Sequence, residues 1–517
     1  MPKAPHYGII YNWDGAPHGY SEYPQSMEQF LDKTYAVMRD TQVGAHFWSV
    51  GGELDQGPQD NAEPPGPGFY QGAAHFTAGE NLRAMYQRGE DPYTSLIERG
   101  HQLGLHVYAS VRMNDNHFGG MKPADMAGSP HPSLTPFRRD HPQYLLGDKT
   151  SPWFALSYDF AVAQVRQRRL DSIIELCQQH DWDGIELDWQ RHAFHFDQDY
   201  GYRLRYLLTD LQRAVRQHTQ QIALRRGRPF YLAARVNGYL DQCAHIGYDI
   251  PTWVQEGLVD ILIPAGGAAT ETEAEIAAFK ELCAGTDTAV YPGYDGGIPG
   301  VAAGPEEAAA KDLMMSRALA ARHHHQGADG IYVFNWHANA TTRRPLLTTI
   351  GDPATLRRTD KIYAATRRFL VYEGEWHGAY RNDRIRGTVP VTLQQTFTGD
   401  GPTILLDIAD DLVADPPASV ELRLRLEDWV TGDKVRVLWD DSQINGLMPQ
   451  YAHQNDPYAN PLSSPVSEVA AAIWLVGQLD PALVTPGQHQ VKVVLDRRNP
   501  LLGTDITLTD VELIIRY

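Results

Sequence analysis

Cysteine is scarce in this chain: three among 517 residues, Cys177, Cys243 and Cys283. Thiols so few and so spaced make neither a disulfide framework nor a zinc knuckle, and their apolar surroundings read as inert core packing. Long apolar runs are missing too, and none approaches the roughly 20 residues that span a bilayer, so no membrane partner is expected. The start, Met1-Pro2-Lys3-Ala4-Pro5, lacks the apolar stretch of a secretory signal. The expectation is a cytoplasmic protein, or a periplasmic or secreted one whose leader has been removed. Positive charge is in deficit: 45 Lys and Arg stand against 64 Asp and Glu, a formal charge of −19. That speaks against a nucleic-acid partner, which wants a basic footprint. Strongly anionic polymers are disfavoured as well, unless a local cluster such as Arg112, Arg191 and Arg235 overcomes the field. No internal repeat occurs, and no low-complexity tract beyond His323-His324-His325, whose three adjacent helical positions cannot face one ion.

What is present is alternation. From residue 6 to about 370, short β-rich runs alternate with stretches of helical periodicity. The runs are His6–Asn12, Val43–Val50, His106–Met113, Gly184–Trp189, Tyr231–Val236, Val259–Pro264, Ala289–Gly293 and Gly330–Asn335. Between them lie helical segments, among them Met27–Arg39, Pro92–Leu103, Val162–Gln179, Tyr202–His218, Ala274–Leu282 and Glu306–His325. Eight strands separated by helices predict a (β/α)8 TIM barrel over residues 1–370. A doubly wound sheet would want a Gly-rich phosphate turn after the first strand, where Tyr11-Asn12-Trp13-Asp14-Gly15 stands instead. Residues 51–90 and 114–157, rich in Gly and Pro, follow the second and third strands and read as long loops over the substrate face. Beyond about residue 375 the pattern becomes short alternating runs: Thr403–Ile408, Val420–Leu426, Lys434–Trp439, Gln490–Leu495 and Val511–Tyr517. Residues 371–517 are therefore expected to form an all-β sandwich, jelly-roll-like, accessory to the barrel.

The stretch that carries chemistry is Asp183-Gly184-Ile185-Glu186-Leu187-Asp188-Trp189-Gln190-Arg191-His192. In a strand, Glu186, Asp188 and Gln190 share one face while Ile185, Leu187 and Trp189 take the other. Interior carboxylates are costly when unpaired, so a strand that keeps two on one face is using them. Two carboxylates within reach of each other are the minimum equipment for cleaving a glycosidic bond. The other strand ends are polar as well. They offer Asn12, Trp13 and Asp14; Arg112, Asn114, Asp115, Asn116 and His117; Arg191 and His192; Arg235 and Asn237; Asp295; and Asn335, Trp336 and His337. Hydroxyl-rich substrates need such paired donors and acceptors with an aromatic platform, for which Trp13, Trp48, Trp189 and Trp336 are candidates.

Asp-Gly-Ile-Glu-Leu-Asp-Trp on a fourth strand resembles the nucleophile strand of barrel glycoside hydrolases. It looks like the Asp-Gly-x-Trp-x-Asp strand of family 31 and the Gly-Phe-Arg-x-Asp strand of family 13, whose nucleophile position falls on Asp188. It is also similar to the Asp-Gly-x-Asp-x-Asp-x-Glu strand of family 18 chitinases, with Gln190 where their acid stands. Trp253-Val254-Gln255-Glu256-Gly257-Leu258-Val259-Asp260 resembles family 10-like bacterial glycosyl-hydrolase barrels. The resemblance implies a glycoside hydrolase acting on an oligo- or polysaccharide, with a carbohydrate as partner and no cofactor or metal. Asp188 takes the part of primary carboxylate or nucleophile. Glu186, about 6–7 Å deeper, tunes it or binds a hydroxyl. Asp295, Asp14 and Asp115 compete for the general acid, Asp295 foremost. The three arginines hold the carboxylates ionised or clamp an acidic sugar.

Two rivals stay open. A metal-dependent barrel hydrolase would use His and Asp at strand ends, and His46, His117, His192, His195 and His337 lie near loop starts, although Ile9-Ile10-Tyr11 replaces the usual His-x-His. A non-catalytic carbohydrate-binding protein on a decayed barrel is favoured by Gln190. In the second module Trp376, Trp429, Trp439 and Trp474 are glycan-platform candidates, with docking on the barrel the preferred role of the module.

Overall fold

The computed structural model describes residues 3–13, 22–50, 72–116, 119–129, 134–150, 152–267, 270–295, 298, 305–334, 336, 340–365, 369–370, 384–385, 387–396, 398–451 and 472–517. Two compact units divide it.

The first unit holds a closed parallel barrel. Its strands are β1 (Ile9–Trp13), β2 (Val43–Ser49), β3 (His106–Arg112), β4 (Gly184–Asp188), β5 (Tyr231–Asn237), β6 (Ile261–Ala265), β7 (Ala289–Val290), β8 (Gly293–Asp295) and β9 (Ile331–Phe334). Neighbours pair in sequence order, β5 pairs β6, and β9 returns to β1, which closes the ring. β7 and β8 are two halves of one barrel strand, both paired to β6. The break falls at Pro292, which has no N–H for the ladder. Eight barrel strands thus stand where the alternation of patterns predicts them.

Local chemistry sets the intervening helices. Ser26 and Gln29 form a reciprocal capping box that starts helix Met27–Ala36. Asp91 caps Pro92–Gln102, with Pro92 at the first helical position. Gly227, at φ 66°, ends Gly201–Arg226. One expectation changes: Ala73–Gln87, inside the segment read as loop, is a helix, while 51–71 lies outside the described residues. The 114–157 segment carries only short helical turns, such as Pro123–Gly128 and Pro136–Asp140.

Alternate residues of every strand fill the barrel interior, and its lower part is apolar and aromatic. Ile10, Phe47, Tyr108, Ala233, Ile263, Tyr291 and Tyr332 form one buried cluster there. Phe47 stacks on Tyr108 at 4.3 Å, and the Tyr7 and Tyr108 hydroxyls bond at 2.9 Å. This plug leaves the polar rows above it at the strands' C-terminal ends.

The second unit is β-rich and antiparallel. One sheet contains Lys361–Ala364, Ile506–Arg516, Ser419–Glu427, Ile473–Gln478 and Met448–Tyr451, with Val391–Leu393 also on Ile506–Arg516. A second contains Thr403–Ile408, Gly487–Arg497, Lys434–Trp439 and Ser442–Ile444. Leu422, Leu424 and Val511 of the first and Ile404, Leu406 and Val493 of the second share one core, the mark of a sandwich. Helix Pro305–His325 belongs to this unit: Ala318 joins that core, and Met314 and Met315 pack with Ile362 and Ile514. No helix among the described residues is long and apolar enough to cross a membrane.

Candidate active site

The register of three adjacent strands places the charges in rows. Arg112 of β3, Asp188 of β4 and Arg235 of β5 stand side by side, and one row deeper come Ser110, Glu186 and Ala233. All six point into the barrel because residues two apart share a face.

Asp188 is fully buried, yet its charge is compensated. Arg235 Nη1 lies 3.1 and 3.2 Å from its two oxygens. Immediately after Asp188 the chain turns back, so the backbone N–H groups of Gln190 and Arg191 donate to Oδ1 at 3.1 and 3.0 Å. Arg235 is itself anchored, with Nη2 donating to the Gly266 carbonyl at 2.8 Å and its guanidinium 4.2 Å over the Phe334 ring. Glu186 is buried as deeply. Asn12 Nδ2 donates to its Oε2 at 3.0 Å, and the Ser110 hydroxyl bonds the same oxygen. Burial, then the neighbouring Asp188 charge, pushes Glu186 up to about 7.

Asp295, at the end of β8, is the third carboxyl. Its backbone is pinned by Thr270, whose hydroxyl bonds both the Asp295 N–H and carbonyl. Its Oδ2 is buried without a hydrogen bond, and the nearest cation among the described residues is Arg191 Nη1 at 3.8 Å. Burial raises the Asp295 carboxyl above its ordinary range, against the pull of Arg191 and Arg235. Asp115, after β3, faces Arg112 Nη1 at 3.5 Å and His192 Nδ1 at 3.8 Å. His192 takes a left-handed φ of 61°, and its Nδ1 accepts from the Asn116 N–H at 3.1 Å. Burial, then the Arg191 charge, lowers Arg112 to about 10.

The sequence-derived candidates Asp188, Glu186, Asp295, Arg112, Asp115, Arg191, His192 and Arg235 therefore gather at one end of the barrel. Others are occupied elsewhere. Asn114 staples two loops, donating to the Tyr158 and Phe194 carbonyls at 3.0 and 2.7 Å and accepting from the Tyr158 N–H at 2.9 Å. Asn237 accepts from the Tyr239 N–H at 3.0 Å in the turn after β5. Trp13 stacks on Trp48, and Trp48 meets Phe30, in the layer between strands and helices. Trp189 packs outward against Trp253, Tyr248 and His195. Trp336 is 1% exposed, enclosed by Tyr294 and Arg343. Asp14, His117, Asn335 and His337 lie outside the described residues. Asn12, offered by the first strand's end, does reach Glu186; Ser110 and Phe334 were missed as site residues, although strand periodicity places them on the same inner faces as Glu186 and Asp188.

Among the described residues no three His, Cys, Asp or Glu side chains are grouped to hold a metal ion. His46 and His195 are buried in aromatic packing, against Tyr35 and Trp48 and against Phe160 and Trp189, and burial lowers each to about 3.

No protein-family model matches the chain, and no curated protein does. Solved structures match it in fold. A cycloisomaltooligosaccharide glucanotransferase from Paenibacillus sp. is 10% identical with a TM-score of 0.31, over 97% of this chain and 57% of that one. An α-amylase from Anoxybacillus is 11% identical with a TM-score of 0.37, over 95% and 98%. A family 36 α-galactosidase from Geobacillus stearothermophilus is 11% identical with a TM-score of 0.32, over 99% and 56%. The chain thus spans little more than half the length of the first and third. None of the three is named as a family 10-like barrel. Likenesses this remote assign no chemistry to this chain.

Proposed function

We propose that this protein is a glycoside hydrolase that cleaves an oligo- or polysaccharide at the C-terminal end of its barrel. The observation that carries the reading is the contrast between two carboxyls at the C-terminal ends of the barrel strands. Asp188 is charge-compensated by Arg235 and two backbone N–H groups, whereas Asp295 is buried, without a hydrogen bond at Oδ2, and raised. A buried, raised carboxyl suits the acid, and a carboxylate braced by a guanidinium and two N–H groups suits its partner. Asp295 protonates the departing glycosidic oxygen, and Asp188 attacks or stabilises the anomeric carbon as positive charge develops there. Glu186, raised to about 7 by burial, repels Asp188 less than a fully ionised carboxylate would. Arg112 and Arg191 frame the entrance.

The test is turnover by wild type and Asp188→Asn on a panel of aryl glycosides and oligosaccharides. The reading expects wild-type hydrolysis and a loss on the order of 10³-fold or more in a folded mutant. A wild type that cleaves nothing yet binds a glycan supports the second reading, a carbohydrate-binding protein on a decayed barrel. What favours that reading is Gln190, 3% exposed with an unbonded Oε1, where family 18 chitinases carry their acid.

A further inference from the structure

We infer that the sugar unit held at this site carries a carboxylate, gripped by Arg191; the inference rests on the glycosidase reading above and narrows its substrate class to uronides. Three guanidiniums, of Arg112, Arg191 and Arg235, surround the barrel mouth in a chain whose formal charge is −19. Concentrating buried cations in one place is costly and calls for anions to offset them. Arg235 has its anion: Asp188 takes Nη1 and the Gly266 carbonyl takes Nη2.

Arg191 does not. Its one charged partner among the described residues is Asp295 at 3.8 Å, beyond hydrogen-bond reach, and its Nε is buried without an acceptor. Two other Arg side chains of the chain show what a filled fork looks like. Arg216 holds Asp260 with two bonds of 2.7 and 2.8 Å, and Arg213 holds Glu256 at 2.7 and 2.6 Å. Those are ordinary lengths for charge-assisted pairs. Arg191 therefore stands with its planar donor set unspent, 15% of its side chain reachable by solvent, beside the two carboxyls that would do the chemistry. A carboxylate is the group whose two oxygens match that fork.

The balance of charge at the mouth agrees. Asp115 at 3.5 Å serves Arg112, Glu186 is pushed up to about 7 by burial, and burial also raises Asp295, the acidic neighbour of Arg191. Arg112 is lowered to about 10 by burial and then by the Arg191 charge. An anion placed between the two guanidiniums relieves that repulsion. A neutral sugar hydroxyl relieves far less of it, because only a full negative charge offsets a buried cation.

The experiment compares matched p-nitrophenyl glucuronide and glucoside, and galacturonide and galactoside, on wild type, Arg191→Gln and Arg191→Lys. The expected result is a uronide preference in kcat/KM of roughly 10- to 100-fold, the range of a hydrogen bond to a charged group. Arg191→Gln removes the preference mainly through KM, and Arg191→Lys keeps part of it, because the charge stays and the fork goes. Raising salt should erode the preference while leaving neutral-sugar turnover in place. Neutral glycosides turned over as well as their uronides would overturn the inference and leave the hydrolase standing. A uronide preference untouched in a folded Arg191→Gln would overturn Arg191's part in it. If neither class is cleaved, and calorimetry with glucuronate shows no binding, both readings fall together.

Discussion

Asp188 and Arg235 face each other in register on adjacent barrel strands, and both side chains are completely removed from solvent. Each is the other's main compensation, so the site's principal carboxylate is also part of the barrel's structural core. Arg235→Met would strand Asp188 with two backbone donors. We expect a loss of roughly 3–5 kcal/mol in unfolding free energy, the usual cost of breaking a buried pair. Chemical denaturation against wild type measures it, and a change below about 1 kcal/mol would show the pair to be dispensable.

Asp295→Asn keeps the shape of the third carboxyl and removes its proton. If Asp295 protonates the leaving group, glycosides with poor leaving groups should lose on the order of 10²–10⁴-fold in rate, and those with activated phenols much less. Activity should fall in wild type as pH rises through the raised Asp295 value, since the acid must be protonated. The mutant's profile should lack that basic limb. An unchanged limb would move the acid to Asp115 or Asp14.

Glu186 links folding to pH. Its folded value of about 7 lies above the ordinary 4.5, so the native state holds a proton that the unfolded chain releases. Its contribution to stability is present below about pH 4.5 and is lost as pH rises towards 7. Relative to Glu186→Gln, wild type should become less stable across that window by on the order of 3 kcal/mol. Parallel melting curves of the two proteins from pH 4.5 to 7 would contradict it.

Glu512 holds the second unit together in a comparable way. Its buried carboxylate accepts from Arg423 Nε at 2.6 Å and lies 3.4 Å from Lys311 Nζ of helix Pro305–His325. Both cations also sit over the Trp474 ring, at 4.7 and 5.1 Å. Trp439 is buried, stacked on His489, while Trp376 lies outside the described residues. Glu512→Gln removes the buried charge that Arg423 and Lys311 share and should cost about 3 kcal/mol, read from thermal unfolding. A melting temperature within a degree of wild type would contradict that role.

Much of this protein is determined by sequence alone, because strand and helix periodicities are local. Short β-rich runs between helical segments marked all eight barrel strands, and the period of two within β4 put Glu186 and Asp188 on one face. Prolines and glycines marked the long connections after β2 and β3. Other features depended on closure of the barrel. Whether Asn114 faces a substrate or staples two loops depends on where Tyr158 and Phe194 come to lie, 44 and 80 residues away. Trp13, Trp48 and Trp189 read equally as platforms or packing until the strands acquire helices on their outer faces. Helix Pro305–His325 has the periodicity of a barrel helix, yet Lys311, Met314 and Ala318 spend their contacts in the second unit. The pairing of Asp188 with Arg235, and the unspent fork of Arg191, arise only in three dimensions. A side chain's partner is set by which strands become neighbours, and neighbouring in a barrel is a non-local property of the chain.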